Sequence, residues 1–483
     1  MPTEVMTAAE AVARIPDGAT VALTGSGGGV LEPHALIAAV EDRFLGSGGP
    51  RGLTVVHAFG LGDRKTRGLN ALAHEGLVKR VVGGHWTWAP KMIELAAAGR
   101  IEAYSWPAGA ISLLMREVGA RRPGLVTRTG LHTFADPRHG GGRFNAAAEE
   151  ELISLVRLDG EEFLHYRPMR VDVALIRGTE ADPRGNIGCG EEAAVLDALA
   201  LAQAARASGG LVVAQVKRLR GDPLDPRDVV IPAALVDVVV AAPDQWQTYA
   251  SEYDPALCGP AGGEVTPALT DPVRAAVARR AALEVPDGAV LNVGFGMSAQ
   301  VVDVLAEQGR LPGVTLAIEQ GLFDGVPETG DLFGVARGAS ARVASTTQFD
   351  LFSGGLLDVC CLGMAQLDET GSVNVSRFGS QIIGPGGFVD ISQNARKAVF
   401  CGTFTAKNGT VRKLVPKVDE VTYSGPFALA EGREAVYVTE RAVFRLTPEG
   451  VELTEIAEGL TIERDILPFM GFRPIIHDVR PMR

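Results

Sequence analysis

Cysteine is scarce in this chain. The five present (Cys189, Cys258, Cys360, Cys361 and Cys401) are scattered through 483 residues, which excludes a disulfide framework. Cys360-Cys361 lie in an apolar run and read as small core residues. No cysteine has the spacing of a metal site, and the eight histidines form no HExxH, so no metal is expected. Long apolar runs are also missing: none reaches the ~18 residues that a membrane span needs. An excess of basic charge is absent too. The net charge of −12 and pI near 5.3 argue against nucleic acid or an anionic membrane as partner; small anions stay open. Met1-Pro2-Thr3-Glu4 lacks the basic-then-apolar pattern of a secretion signal, and cytoplasm is the expected compartment. The sequons Asn374-Val375-Ser376 and Asn408-Gly409-Thr410 are then matches by chance.

What is present is 46% apolar residues, 22% charge and 59 glycines, the composition of an α/β protein with many tight strand-to-helix turns. Its length is too great for one hydrophobic core, so two or more domains are expected. Met6 to Arg14 reads as a short helix, Thr20 to Leu23 as a strand, Pro33 to Phe44 as a helix, and GLTVVHAFG (Gly52 to Gly60) as the next strand. The unit returns: a helix over Val273 to Ala282, a strand over Ala289 to Val293, a helix over Ala299 to Gln308, then GVTLAIEQG. The PDG turns ending at Gly18 and Gly288 are 270 positions apart. Asp172/Asp358, Asp182/Asp368 and Gly185/Gly371 keep a common offset of 186. Two related open α/β domains follow, each a mainly parallel sheet flanked by helices, with about 84 extra residues in the first. The expected domains are 1–260, with the insertion at about 61–166, and 265–483; Asp254 to Gly263 is the boundary candidate. The tail reads as a hairpin turning at Thr447 to Gly450.

The stretch TLAIEQGLFDGVPETG (Thr315 to Gly330) places a carboxylate, Glu319, at the end of an apolar strand, followed by a glycine-rich loop. Open α/β sheets bind ligands just beyond the carboxyl ends of their strands. Aligning the two halves puts Ala58 where Glu319 stands. A solvating charge is indifferent to such asymmetry, whereas a reactive group used once per chain is not.

Three functions compete for these residues. Gly294-Phe295-Gly296-Met297-Ser298-Ala299 satisfies the dinucleotide fingerprint between a strand and a helix, with Glu319 placed as a ribose-binding acid, which would make the chain an NAD-dependent oxidoreductase. Alternatively Glu319 is a nucleophile toward a thioester, with oxyanion donors from the backbone of Gly384-Pro385-Gly386-Gly387-Phe388. Gln366, in LGMAQLD, is then either a polar partner in the site or a buried, satisfied amide. The third possibility is a non-catalytic small-molecule-binding module.

SVNVSRFG, GPGGFVDISQNARKAVFCGTFTA, YVTERAVFRLTPEGVELTEIAEG and RGLNALAHEGLVKRVVGGHW together resemble the family I coenzyme A-transferases, nearest the fused-chain acyl-CoA:acetate/3-ketoacid and propionate type. The resemblance runs nearly end to end. It implies an exchange of coenzyme A between an acyl-CoA and a free carboxylate, acetate or another short-chain or 3-oxo acid. In that family the strand-end glutamate forms a glutamyl-CoA thioester, implying Glu319 here. The resemblance further implies coenzyme A contacts along the glycine turn, at Gly294, Gly296, Met297 and Ser298, and an oxyanion site shaped by the glycine loop, with Gly386 and Gly387 its candidates; Gln366 joins the expected coenzyme A contacts on its place in LGMAQLD. No metal or organic prosthetic group is implied, since coenzyme A is a substrate. A homo-oligomer is expected. Two segments depart from the family pattern: Met297-Ser298 replaces an apolar residue and Pro, and EQGLFDGVPETG replaces an ESG-type continuation beside the acyl pocket.

Overall fold

A computed structural model describes residues 3–260, 269–407 and 409–483. Met1, Pro2, part of the boundary candidate and Asn408 of the second sequon lie outside the described residues. Among those described, two ten-stranded sheets carry the fold. In the first, the strand Thr20–Leu23 lies between Leu53–His57 and Val173–Ala181, with Leu211–Leu219 and Val238–Ala241 continuing beyond the latter, all parallel. In the second, Val290–Val293 lies between Thr315–Ile318 and Val359–Gly363, followed by Lys397–Cys401 and Glu434–Val438, again all parallel. These strands are short apolar runs because parallel strands are covered on both faces; all nine residues of Val173–Ala181 are buried.

The repeat extends to individual hydrogen bonds. Asp172 Oδ2 accepts the N–H of Thr20, and Asp358 Oδ2 accepts that of Val290, each at 2.9 Å. Asp182 Oδ1 accepts from the N–H groups of Arg184 and Asn186, and Asp368 Oδ1 from those of Thr370 and Ser372. Each pair of aspartates satisfies orphan backbone donors at the same places of its half.

The halves also differ. In the first, Val78–Gly83 and Glu102–Ser105 extend the sheet, and a separate antiparallel sheet forms from Leu125–Thr127, Ile153–Leu158 and Glu161–Tyr166. In the second, the tail pairs Thr447 with Gly450 in the expected hairpin. One apolar core runs through both halves; Phe59 stacks on Phe349 with ring centroids 6.0 Å apart. The helix Ala108–Gly119, nearly all of it buried, packs on Ala198–Ala207 of its own half and on Ser345–Ser353 of the other. Beyond the carboxyl ends of both sheets, where the halves meet, lies a cleft.

Candidate functional site

Glu319 sits in that cleft. The apolar run Thr315–Ile318 forms the expected strand, but no open loop follows it. The chain reverses at once, pairing Ile318 with Leu322 in an antiparallel hairpin, with Gly321 N–H bonded to Ile318 O at 2.9 Å. Glu319 is therefore fixed in a tight turn and aimed into the cleft. It is half-buried, its open side facing the cavity, while its carboxylate is enclosed among Ile318, Leu362, Phe388 and the glycine loop.

The loop Gly384 to Gly387 stands opposite. In the first half the corresponding residues, 198–201, form the first turn of the helix Ala198–Ala207; here the helix starts only at Phe388 and runs to Ser392. Unwinding that turn leaves bare backbone facing the carboxylate. A methyl at Gly387 would lie 1.8 Å from Glu319 Oε2, so any side chain there would displace the carboxylate. Burial pushes the Glu319 carboxyl up to about 7, opposed by hydrogen bonds from the Gln320 amide and the Gly387 N–H. Gln320 Nε2 donates to Glu319 Oε1 at 3.3 Å.

Gly386 differs from the expectation. Its N–H is committed to Gly84 O at 2.8 Å, and its carbonyl accepts from Ala108 N–H at 2.8 Å. It therefore ties the loop to the first half and has no N–H to offer an oxyanion. Asp390, buried in the short helix beyond, accepts the N–H of Gly109 at 3.1 Å and tightens the same tie. Its carboxyl is pushed up to about 8 by burial, opposed by that hydrogen bond.

Gln366 is a second correction. It lies outside the cleft in a two-residue strand paired with Asn374, and its Oε1 accepts from Asn374 Nδ2 at 2.7 Å and from Asp419 N–H at 3.0 Å. The amide beside the carboxylate is that of Gln320. Of the fingerprint turn, Gly294 lines the cleft, and Gly296 lines an adjoining groove of about 350 Å³ with Arg274. Met297 packs on the apolar core instead. Ser298 is buried, its hydroxyl donating to Gly294 O at 3.1 Å. Neither lines the cleft.

The cleft has two lobes that meet at Glu319. One, about 250 Å³, is lined mainly by the second half: Asn292, Gly294, Leu362, Val375 and the glycine loop. The other, about 110 Å³, is lined mainly by the first: Ser26, Gly27, Phe59, Gly60, Arg64 and Trp88. His85, Phe295, Gln320, Phe333 and Gly386 border both. The His85 imidazole is pushed down to about 4, by burial first and by the neighbouring His57 and Arg64, so at neutral pH it brings no positive charge. Sequence reasoning had no signal for His85, Trp88 or Phe59, which reach Glu319 only through the fold. Among the described residues, no group of three or more His, Cys, Asp or Glu is placed to hold a metal ion, and no helix is long and apolar enough to cross a membrane.

Comparison with known proteins agrees with this geometry. The family model "Coenzyme A transferase" matches residues 5–242 and 274–464. The chain is 40% identical to acetate CoA-transferase YdiF of Escherichia coli (strain K12), over 98% of this chain and 92% of that protein. It is also 40% identical to caffeate CoA-transferase of Acetobacterium woodii, over 98% and 94%. A crystal structure of the acyl-CoA transferase YdiF from E. coli O157:H7, a thioester complex with CoA, superposes with a TM-score of 0.93 at 39% identity, covering all of this chain and 95% of the other. With both halves matched, the dinucleotide and non-catalytic readings fall away, and the chain belongs to the coenzyme A transferase family.

Proposed function

We propose that this enzyme moves coenzyme A from an acyl-CoA to a free carboxylate through a glutamyl-CoA thioester on Glu319. The observation that carries this reading is the pairing of an enclosed strand-end carboxylate with the bare N–H of Gly387, at the junction of two lobes that separate the two parts of a thioester. Ionised Glu319 attacks the thioester carbonyl, giving an acyl-glutamyl anhydride and CoA thiolate. The thiolate attacks the glutamyl carbonyl, releasing the first carboxylate and leaving the thioester on Glu319. A second carboxylate attacks that thioester, and the released thiolate then takes the new acyl group, restoring Glu319. No ATP is consumed, since the activation of the first thioester passes to the anhydride and back to a thioester in each half-reaction.

The Gly387 N–H stays on the glutamyl oxygen, where negative charge develops in the two tetrahedral intermediates formed at the glutamyl carbon. The apolar walls exclude water, which would hydrolyse the anhydride. The larger lobe, joined through Phe295 to the groove at Gly296 and Arg274, is assigned to the pantetheine arm. Gly294 and Gly296 border that path, whereas Met297, Ser298 and Gln366 act behind it. The smaller lobe receives the acyl group. The chain is expected in the cytoplasm as a homo-oligomer.

Incubation with acetyl-CoA and no acceptor should yield a protein heavier by the CoA adduct. Borohydride should cleave the thioester and convert residue 319 to an alcohol. Steady-state kinetics should be ping-pong. Peptide mass spectrometry placing the adduct on any other residue would sink the mechanism.

A further inference from the structure

The relatives include an acetate and a caffeate transferase at equal identity, so likeness does not choose between a small acyl group and a large aryl one. The smaller lobe does. One of its walls is the indole of Trp88, which is buried and seated on two glycines. A methyl on Gly27 would lie 2.3 Å from the ring, and one on Gly60 would lie 2.1 Å from it. The chain keeps two positions free of any side chain so that this ring can stand there. The Trp88 carbonyl accepts the N–H of Arg64 at 2.9 Å and Asn70 Nδ2 at 2.9 Å, which fixes the backbone. Arg64 holds a left-handed backbone conformation (φ 63°) and lays its guanidinium over the indole, 4.1 Å from the ring centre. Its Nη1 donates to Asp331 Oδ1 at 3.0 Å, so a residue of the other half steadies the stack. A wall held from its backbone, its seat and a stacked ring face does not yield to a longer substrate.

We infer that Trp88 is the specificity-determining residue of the acyl lobe, restricting the enzyme to short aliphatic carboxylates and excluding aryl-propenoates; this rests on the transferase reading above. The lobe is the tighter of the two, about 110 Å³ against about 250 Å³, and the fixed indole leaves it no room to lengthen. On this assignment acetate to butyrate are accepted beside Glu319, and hexanoate and cinnamate are turned away by the indole.

The test measures kcat/KM for acetate, butyrate, hexanoate and cinnamate as acceptors from acetyl-CoA. The wild type should prefer the first two. Trp88→Ala should raise the hexanoate-to-acetate and cinnamate-to-acetate ratios roughly 10–200-fold, the range that small changes in an apolar pocket produce. Trp88→Phe, which keeps a ring on the two glycines, should move both ratios the same way by less, and it decides the matter if the alanine variant does not fold. A wild type that prefers hexanoate or cinnamate, or ratios unchanged in the folded variants, would overturn the assignment while leaving the transferase reading intact. No exchange by the wild type with any acid overturns both.

Discussion

The two halves share a sheet order and the same aspartate hydrogen bonds, yet only one presents a reactive group. Where the second half ends its strand in Glu319, the first has the buried methyl of Ala58. Where the second half unwinds a helical turn into Gly384 to Gly387, the first keeps a helix from Ala198, with Ala200 standing where Gly386 does. The difference teaches that one carboxylate does not make the site. An acid at a strand end would be a costly buried charge without bare backbone opposite to solvate it. The first half has specialised differently: Phe59, Gly60 and Trp88, beyond its corresponding strands, furnish a wall of the cleft.

The largest effect that tests this contrast comes from Glu319→Gln. It keeps the shape and most hydrogen bonding of the side chain but removes the nucleophile. Turnover should fall by roughly 10⁴-fold or more, as for other nucleophile deletions, while circular dichroism and thermal midpoint stay near wild type. Next is the comparison of Gly387→Ala in the loop with Ala200→Gly in the helical turn that stands in its place in the first half. The first should lower kcat by roughly 10²–10³-fold by displacing the N–H donor from the glutamyl oxygen. The second should leave kcat unchanged and cost about 1 kcal/mol of stability in denaturant unfolding, since it only weakens a helix. Equal effects on kcat would show that the halves are not divided in this way.

The smallest effect concerns pH. With the Glu319 carboxyl raised to about 7, kcat/KM for acyl-CoA should fall as pH drops below that value, because only the ionised form attacks. Gln320→Ala removes a donor to the charged form, so the midpoint should move up and activity at pH 6 should fall roughly 10-fold. The stability effect has the opposite sense. The native state holds this proton where the unfolded chain has released it, so the stabilisation is complete at low pH and declines as pH rises from about 4.5 to about 7. A pH profile unmoved by Gln320→Ala would remove Gln320 from the carboxylate's surroundings.

Much of this was legible along the chain because it is local or periodic. The strand Thr315–Ile318 is a short apolar run ending in an acid, and the repeat shows in Asp172/Asp358 at constant offset. The glycine loop is visible as a gap in side chains. Other features rest on tertiary placement. The hairpin after Glu319 pairs strands of two residues, too short for any alternation to register. Gly386 and Gly387 are adjacent and alike in sequence, yet one N–H is taken by Gly84 and the other faces Glu319. Gln366 stands in an apolar run that suggested a site, but Asn374 and the Asp419 backbone satisfy it outside the cleft. Trp88 joins the cleft from GGHWTWAP (Gly83 to Pro90), where nothing in the sequence sets it apart from Trp86.

The hydrogen bonds of Gly386 to Gly84 and Ala108, with that of Asp390 to Gly109, have a consequence for why both halves belong to one polypeptide. The loop facing Glu319 is held in shape by the opposite half, so under the proposed mechanism the second half alone would be an incomplete enzyme even though it carries Glu319. Covalent continuity turns their encounter into an intramolecular event, at an effective concentration on the order of millimolar for a short tether. Specific activity thereby becomes indifferent to dilution. The thioester proposed on Glu319 would also never wait, with its cleft open to water, for a partner to return.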